Sequence, residues 1–277
     1  MLRTGFIGNE NFFDRAICEW LGGHTDLALV IWTNQLSWGS SGRSGRLRRV
    51  GRRFLKRVKQ RGILRTLDEA LYYVLYRSFL QRGEGRRLLQ LVDDLPRFPR
   101  RSLSLVPQIR PRSIADPTVA QSIRKASLDA LFATCIDVRL PDPIIDAPRL
   151  GSFLWHEGIA PEYRGVYSPF WGLVRGDYEN LGYTLLRMTS RLDGGENYVQ
   201  GRVVGVDPGR DWHSYIGHKA ILDSLQQVER FLIDLEAGRH RPIRRDGALD
   251  ALYSYPTATG LLKIVRRRLQ ASRGGTS

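Results

Sequence analysis

The chain has 277 residues and a net charge of +15, with 42% hydrophobic and 26% charged residues. These percentages are those of an ordinary globular protein, which disfavours the wholly disordered and membrane-spanning classes. No run approaches about 18 apolar residues, and the start "MLRTGFIGNENFF" lacks the apolar core and cleavage site of a signal peptide, so we expect a cytoplasmic protein. Cys18 and Cys135 lie far apart without metal-ligand spacing, which argues against a disulfide framework and a zinc site.

The excess positive charge is concentrated between Arg43 and Arg65, where eleven residues are Arg or Lys and none is Asp or Glu. Leu47, Val50 and Phe54 recur there at helical spacing, which predicts a basic amphipathic helix. Phospholipid headgroups, a nucleic-acid backbone or an acidic protein groove would each suit such a helix, and a solvated helix face is the alternative. We expect peripheral contact with the inner membrane surface through residues 43–65, and we do not expect nucleic-acid binding.

In chain order, the first 35 residues predict a βαβ unit, with strands in "LRTGFIG" and "LALVIWT" and a helix over residues 11–21. Gly5 and Gly8 fall short of the dinucleotide-binding pattern, so no nicotinamide cofactor is inferred. "TLDEALYYVLYRSFLQR" predicts a second helix, opened by a capping box of Thr66 and Glu69. Its apolar stripe predicts packing in the core or against another helix and consists of Leu67, Leu71, Val74, Leu75 and Phe79.

The α/β pattern returns after residue 100. "SLSLVP" predicts a short strand, "DPTVAQSIRKA" a helix capped by Asp116, and "LDALFATCI" a buried strand. Further on, "LGYTLLRMT" and "ENYVQGRVVGV" predict two strands around the loop "SRLDGG", followed by a helix over about residues 213–236. His213 and His218 are five residues apart, which poorly suits a ligand pair on one helix face, so we expect surface or helix-terminal positions.

These elements predict an α/β fold with a mainly parallel central sheet, a basic helical insertion over about residues 36–100 and a helical C-terminal extension. The expected division is a catalytic domain over residues 1–205, followed by a C-terminal helix and basic tail over residues 206–277. The tail "ATGLLKIVRRRLQASRGG" is a second candidate for contact with a membrane or a nucleic acid.

The stretch "LGSFLWHEGIAPEYRGVYSPFWGLVRGDYENLGYTLLRMTSRLDGGENYVQG", residues 150–201, contains four motifs in a fixed order. A strand ends in a histidine, and a Pro-x-Tyr-Arg-Gly loop, a Gly-x-Thr strand and a Leu-Asp-x-Gly loop follow. This order resembles the catalytic core of the formyl transferase family, whose members use 10-formyltetrahydrofolate. The resemblance implies a Rossmann-like formyltransferase fold, with His156 and Asp193 as the catalytic residues.

By the same resemblance, 10-formyltetrahydrofolate is the expected formyl donor, and further residues receive roles. Residues expected to bind the donor are Leu192, Gly194, Gly195 and Cys135, and those expected to bind the acceptor are Tyr163, Arg164 and Gly165. Arg164 has a second interpretation as a salt-bridge residue of the loop. A histidine beside an aspartate suits this chemistry, because the oxyanion that forms at the formyl group needs stabilisation and protons must move between nitrogens.

One position departs from the family pattern. The family has an asparagine two residues before the histidine, where it donates a hydrogen bond to the formyl oxygen, and this chain has Leu154. Loss of one such donor typically costs about 100- to 1000-fold in rate. Ser152, Thr134 or a backbone N–H is expected to replace it, or else the protein is not an efficient transferase.

We therefore expect a transferase that moves a formyl group to the primary amine of a small molecule, a nucleotide- or lipid-linked amino sugar. The Tyr-Arg-Gly loop resembles the sugar-nucleotide and methionyl-tRNA branches of the family, and the chain has no room for the C-terminal barrel of the tRNA enzymes. A glycinamide ribonucleotide acceptor, hydrolysis of the formyl donor, and a weakened folate-binding protein at a membrane remain the alternatives.

Overall fold

The computed structural model describes residues 1–33, 57–93, 99–134, 139–244 and 250–274. Cys135 and residues 43–56 of the predicted basic helix lie outside the described residues. Within them, the strands are β1 Arg3–Gly8, β2 Asp26–Trp32, β3 Gln108–Ile109, β4 Ala130–Thr134, β5 Gly151–His156, β6 Arg164–Gly165, β7 Gly182–Arg187, β8 Asn197–Arg202 and β9 Leu252–Tyr253. The α-helices are α1 Phe12–His24, α2 Ile63–Leu75, α3 Gln81–Asp93, α4 Pro117–Lys125, α5 Asp142–Ile145, α6 Ser168–Arg175, α7 His213–Glu236 and α8 Ala258–Gly274.

A seven-stranded sheet in the order β3-β2-β1-β4-β5-β7-β8 forms the centre of the fold. The first five strands in this order, β3, β2, β1, β4 and β5, are parallel. Strand β7 is antiparallel to both of its neighbours, β5 and β8. Phe6, Phe132 and Phe153 lie on neighbouring parallel strands in one buried cluster. This arrangement confirms the predicted α/β class with a mainly parallel sheet.

The predicted βαβ opening is confirmed as β1, α1 and β2. The Asn11 side chain accepts a hydrogen bond from the Asp14 backbone N–H at 2.8 Å and so caps the start of α1. The predicted cap of α4 is also confirmed, since the Asp116 carboxylate accepts from the Thr118 N–H at 2.9 Å. In both places a local polar side chain satisfies a backbone donor that the helix itself leaves unpaired.

The capping box predicted at Thr66 and Glu69 is wrong, because α2 begins three residues earlier, at Ile63. Thr66 lies inside the helix, where its hydroxyl donates to the Gly62 carbonyl oxygen at 2.8 Å. The Glu69 side chain is buried and pairs with Arg61 at 3.1 Å and with Arg65 at 3.4 Å. The carboxylate therefore neutralises two arginines instead of capping a backbone.

Of the two positions predicted for the apolar stripe of this helix, in the core or against another helix, the core position is wrong. The buried face of α2 is formed by Thr66, Glu69 and Tyr72. Apart from Leu75, every residue of the stripe is at least half exposed: Leu67 (50%), Leu71 (52%), Val74 (58%) and Phe79 (77%). The π-helical turn Tyr76–Leu80 then joins α2 to α3. An apolar helix face is thus open to solvent.

The strand predicted in "SLSLVP" is wrong. Leu103–Leu105 form a 3-10 turn whose start is capped by the Ser102 hydroxyl, which accepts from the Ser104 N–H at 3.3 Å. The strand that extends the sheet at this edge is β3, just beyond Pro107. The serine favours the turn because its side chain can bond to the backbone two residues ahead.

Helix α7 packs on the sheet against β7 and β8, and ends before Gly238, whose φ of +68° closes the helix. Ala220, Leu225 and Val228 of this helix belong to the same buried cluster as the sheet strands. The helix therefore contributes to the core of the sheet, and the division proposed at residue 205 stays a prediction.

Helix α8 packs against α2 and α6. Leu261 and Ile264 are buried there, while Leu262 and Arg266 are exposed. The Asp68 carboxylate of α2 accepts from the backbone N–H of Thr259 at 2.9 Å, which joins the middle of α2 to the first turn of α8. Among the described helices, none is long and apolar enough to cross a membrane.

Candidate active site

A cavity of about 240 Å³ lies at the carboxyl end of β5. Its walls come from β5, the residues after β6, the loop between β7 and β8, and the first two turns of α7. The side chains that line it include His156, Leu154, Met188, Asp193, His213 and His218. The candidate catalytic pair predicted from the sequence therefore faces one enclosed space, although 36 residues separate its members along the chain.

His156 is the last residue of β5, and only 5% of its surface is exposed. Its Nε2 lies 2.5 Å from the Tyr163 carbonyl oxygen and 3.3 Å from the Ser168 hydroxyl. Because a carbonyl oxygen can only accept, the proton of this ring is on Nε2. The other ring nitrogen, Nδ1, is then the unprotonated nitrogen of the neutral ring.

Asp193 is held in the loop between β7 and β8 with a φ of +45°, and 8% of its surface is exposed. Its Oδ2 accepts a hydrogen bond from the Gly165 backbone N–H at 2.7 Å. Gly165 itself has a φ of +98°, and a Cβ there would lie 2.1 Å from the Tyr253 carbonyl oxygen. A glycine at this position lets β6 pair closely with β9 and present its N–H to the carboxylate.

The segment 163–165 holds both members of the candidate pair, through the Tyr163 carbonyl for His156 and the Gly165 N–H for Asp193. The Tyr163 side chain does not line the cavity. Its ring stacks on Tyr253 at 5.1 Å and its hydroxyl donates to Asp177 at 2.7 Å. The structure thus places Tyr163 in the support of the site, away from the position expected for an acceptor-binding side chain.

The Arg164 guanidinium is buried beneath the Asp193 loop. It donates to the Leu192 carbonyl oxygen at 2.6 and 3.0 Å and pairs with Asp250, which also contacts Arg191. These ion pairs keep the pKa of the Asp250 carboxyl below its usual range. Of the two interpretations of Arg164, the contacts match the loop salt bridge.

The residues predicted to bind the donor are placed on both sides of the Asp193 loop. Leu192 lines the cavity, while Gly194 and Gly195 border a second, smaller depression on the other side. A Cβ on Gly195 would lie 1.9 Å from the Arg187 carbonyl oxygen, so its small size serves the close approach of the loop to β7. Cys135 lies outside the described residues.

Leu154, at the position of the expected asparagine, lines the cavity with an apolar side chain. The two side chains predicted to replace the missing donor are already engaged. The Ser152 hydroxyl donates to the Ile145 carbonyl oxygen at 2.8 Å, and the Thr134 hydroxyl donates to Asp14 at 3.0 Å. Neither Ser152 nor Thr134 is among the described residues that line the cavity.

His213 and His218, expected at the surface or at a helix end, form part of the cavity wall, and His213 is the first residue of α7. Only 4% of the surface of His213 is exposed, and its Nε2 lies 2.5 Å from the Tyr72 hydroxyl. Burial, together with the neighbouring His218, lowers the pKa of His213 to about 3, and burial also lowers the pKa of His218. Both rings are therefore neutral at physiological pH.

The spacing of these histidines did not indicate a site, because two ligands on one helix face are three or four residues apart and these are five apart. Here α7 meets the cavity with its end, and the first two turns of a helix present residues five apart to the same opening. The dense run of aromatic and histidine residues in "DWHSYIGH", residues 211–218, is the one sequence signal that could have indicated a site.

Comparison with known proteins shows what this region is similar to. Residues 93–218, just under half of the chain, match the family model described as formyl transferase. Methionyl-tRNA formyltransferase of Geobacter metallireducens is 27% identical over 144 residues, which covers 52% of this chain and 45% of that relative. The corresponding protein of Rhodopseudomonas palustris is 28% identical over 130 residues and is covered over 42% of its length. The chain thus spans less than half the length of these curated relatives.

Solved structures share the fold over most of the chain. A sugar N-formyltransferase from a Shewanella species has a TM-score of 0.54 and 10% identity, with 96% of this chain and 87% of that chain covered. A 4-N formyltransferase from Francisella tularensis has a TM-score of 0.53 and 12% identity, with 91% and 76% covered. Phosphoribosylglycinamide formyltransferase from Anaplasma phagocytophilum has a TM-score of 0.52 and 11% identity, with 91% and 99% covered.

Proposed function

We propose, from the membership of residues 93–218 in the formyl transferase family, that this chain moves a formyl group from 10-formyltetrahydrofolate to a primary amine. The observation that carries the proposal is the meeting of His156 and Asp193 at one cavity, in the order of the family motifs. One short segment, residues 163–165, holds both of them. A structural histidine and an ordinary turn aspartate would have no need of this shared support.

The reaction assigns a task to each member of the pair. The amine nitrogen bonds to the formyl carbon, and the C=O electron pair moves to the oxygen. This electron pair re-forms the C=O bond as the bond from the formyl carbon to the folate nitrogen breaks. Meanwhile one proton leaves the amine and one joins the departing nitrogen. His156, with a proton on both ring nitrogens, stabilises the charge on the formyl oxygen, and Asp193 accepts protons from the amine.

The cavity fits the donor by the chemistry of its walls. Leu140, Ile145, Leu154 and Met188 give it apolar surfaces that suit a flat heteroaromatic ring, and the catalytic pair lies beside them. Leu192, about half exposed, lies next to Asp193 at the cavity wall. Donor binding through Gly194, Gly195 and Cys135 stays a proposal.

The acceptor we propose is an amine on an anionic carrier, a nucleotide- or lipid-linked amino sugar. Arg139 and Arg191 line the cavity. Outside it, the guanidinium carbons of Arg57 and Arg61 lie 4.6 and 5.4 Å from the ring centre of Tyr255. The Tyr255 ring lies 6.0 Å from that of the cavity residue Tyr167, so positive charge borders the site where a phosphate would lie.

We also propose that the chain contacts an anionic membrane surface. The exposed apolar face of α2, defined by Leu64, Leu67, Leu71 and Val74, begins directly after Arg57, Lys59 and Arg61. Apolar side chains that enter the headgroup region beside cations that pair with lipid phosphates are the usual features of an interfacial helix. This contact lies partly within the predicted segment 43–65 and extends beyond it into α2.

The test is an acceptor panel with the purified protein. We expect release of tetrahydrofolate from 10-formyltetrahydrofolate to depend on an amino-sugar nucleotide, and the product to carry one formyl group by mass spectrometry. Release that depends on glycinamide ribonucleotide would assign the alternative acceptor. Release that needs no amine would show hydrolysis, and binding without release would show a folate-binding protein, so either result would contradict the proposal.

A further inference from the structure

Leu154 cannot donate a hydrogen bond to the formyl oxygen of the proposed reaction, and the two side chains expected to replace the asparagine, those of Ser152 and Thr134, are bonded elsewhere. The wall formed by α7 offers another. His213 is the first residue of α7, lines the cavity and is almost wholly buried. Its Nδ1 is buried without a hydrogen-bond partner among the described residues. Such an atom is costly to bury unless a ligand satisfies it.

The tautomer of His213 follows from the contact between its Nε2 and the Tyr72 hydroxyl. If the phenol donates to Nε2, the ring proton is on Nδ1 and one donor is left over. If Nε2 instead donates to the phenol, two polar groups are left over, the buried phenol hydrogen and the Nδ1 lone pair. Because buried polar groups are nearly always paired, the first arrangement is the favoured one.

The surroundings of His213 keep this arrangement in place. Its ring stacks on Tyr167 at 5.7 Å and meets Phe170 and Tyr76 edge-on at 5.6 and 5.3 Å. Burial among these rings lowers its pKa, so the imidazole remains neutral at physiological pH. A neutral, fixed N–H donor costs little reorganisation when negative charge develops nearby.

We propose that His213 donates its Nδ1–H to the formyl oxygen of the donor substrate, and so supplies from α7 the hydrogen bond that an asparagine at position 154 would supply from β5. Tyr72 is then a positioning residue, which fixes the tautomer from the side away from the cavity. The inference rests on the proposed formyl transfer.

Two substitutions separate the ring nitrogens. His213→Asn keeps an N–H donor near the position of Nδ1, while His213→Gln keeps a polar group toward Tyr72 and loses that donor. We expect His213→Gln to lower kcat by about 100- to 1000-fold, the usual effect of losing one oxyanion donor, and His213→Asn to retain kcat within about 10-fold. The matched control is His240→Gln, because the His240 ring packs on Tyr198 and is not among the residues that line the cavity.

A third variant tests the replacement itself. Adding Leu154→Asn to His213→Gln restores a donor on β5, and we expect it to recover at least about 10-fold of the lost kcat. Equal kcat for His213→Gln and the wild type, in an enzyme that His156→Ala inactivates, would overturn this inference and leave the proposed function standing. A wild-type protein inactive with every acceptor would overturn the proposed function, and this inference with it.

A readout that needs no substrate is ¹⁵N NMR of the imidazole rings. We expect His213 to be protonated on Nδ1 and unprotonated on Nε2 from about pH 5 to pH 8, and Tyr72→Phe to mix the two tautomers. A proton on Nε2, or titration of His213 near its ordinary pKa, would overturn the inference whatever the activity.

Discussion

Asp193 has a left-handed backbone conformation and one hydrogen bond from Gly165, and these two features make a clean substitution available. Asn adopts that conformation readily and can still accept from the Gly165 N–H, so Asp193→Asn removes the charge and little else. We expect kcat to fall by about 100-fold or more, with the free energy of unfolding unchanged within about 0.5 kcal/mol. Steady-state kinetics and urea denaturation measure both, and an unchanged kcat would contradict the catalytic role.

Asp14 predicts how stability depends on pH. Burial raises its pKa from 3.8 to about 7, against the opposing hydrogen bonds from Asn9 and Thr134. Between these two pH values the folded state holds a proton that the unfolded state has lost, so the free energy of unfolding falls as pH rises from about 4 to about 7. The upper bound of this loss is about 4 kcal/mol.

Asp14→Asn cannot ionise, and the comparison with wild type isolates this contribution from that of His213, which acts in the opposite direction below pH 6.5. We expect urea denaturation at pH 5 and pH 8 to show a smaller loss of stability in the variant. An equal loss in both proteins would mean that Asp14 is ionised in the fold throughout this range.

At the residue scale, the sequence predicted which side chains meet but not what each one does. The order of motifs was sufficient for His156 and Asp193, which share one cavity. Arg164 and Tyr163 belong to the same motif, yet their side chains bond to Leu192, Asp250 and Asp177. Their roles depend on β9, a strand about 90 residues away that no local pattern connects to this loop.

The loop between β7 and β8 offers a test at the scale of an element. A Cβ on Gly195 would meet the Arg187 backbone oxygen at 1.9 Å, whereas a Cβ on Gly194 would meet only the flexible Arg191 side chain, at 2.6 Å. Gly195→Ala should therefore lower the free energy of unfolding by roughly 2 kcal/mol, and Gly194→Ala should lower it much less. Chemical denaturation distinguishes them, and equal stability of the two variants would contradict the packing role of Gly195.

The apolar face of α2 gives a second prediction at this scale. The double variant Leu67→Glu/Leu71→Glu removes two exposed apolar side chains and adds negative charge, so we expect binding to phosphatidylglycerol vesicles to weaken at least about 10-fold. Ile233→Glu, on the exposed side of α7, is the control and should bind like the wild type. Vesicle co-sedimentation measures this, and wild-type protein that ignores anionic vesicles at low salt would contradict the membrane proposal.

Elements were predictable where local signals agreed. The apolar runs of β1 and β2 are local signals, as are the polar residues at two helix starts, Asn11 and Asp116. The two strands and the two helix starts lie where the sequence predicts them. The predicted core position of the α2 stripe is wrong because periodicity indicates that a helix has an apolar face but not what covers that face. Tyr72 and Glu69 define the buried face instead, through partners on α7 and on the preceding turn.

For the molecule as a whole, the fold agrees with solved formyltransferase structures, and the family match covers residues 93–218. The sheet order and the match of residues 93–218 agree with the resemblance found in one stretch of about 50 residues. The sequence places much of the excess positive charge, +15 in net charge, between Arg43 and Arg65, but it does not indicate which elements pack beside that segment. The structure brings α2, whose apolar face we propose as a membrane contact, against α8, which lies in the basic tail predicted as a second contact.

The most direct measurement of the central claim is a single-turnover assay with ¹³C-formyl-labelled 10-formyltetrahydrofolate, excess enzyme and the amino-sugar nucleotide panel. We expect the label to appear as a formamide on one acceptor with wild-type protein, and we expect His156→Ala, with an unchanged melting temperature, to form none. Label that appears only as formate, or formamide formed equally by the variant, would contradict formyl transfer at this cavity.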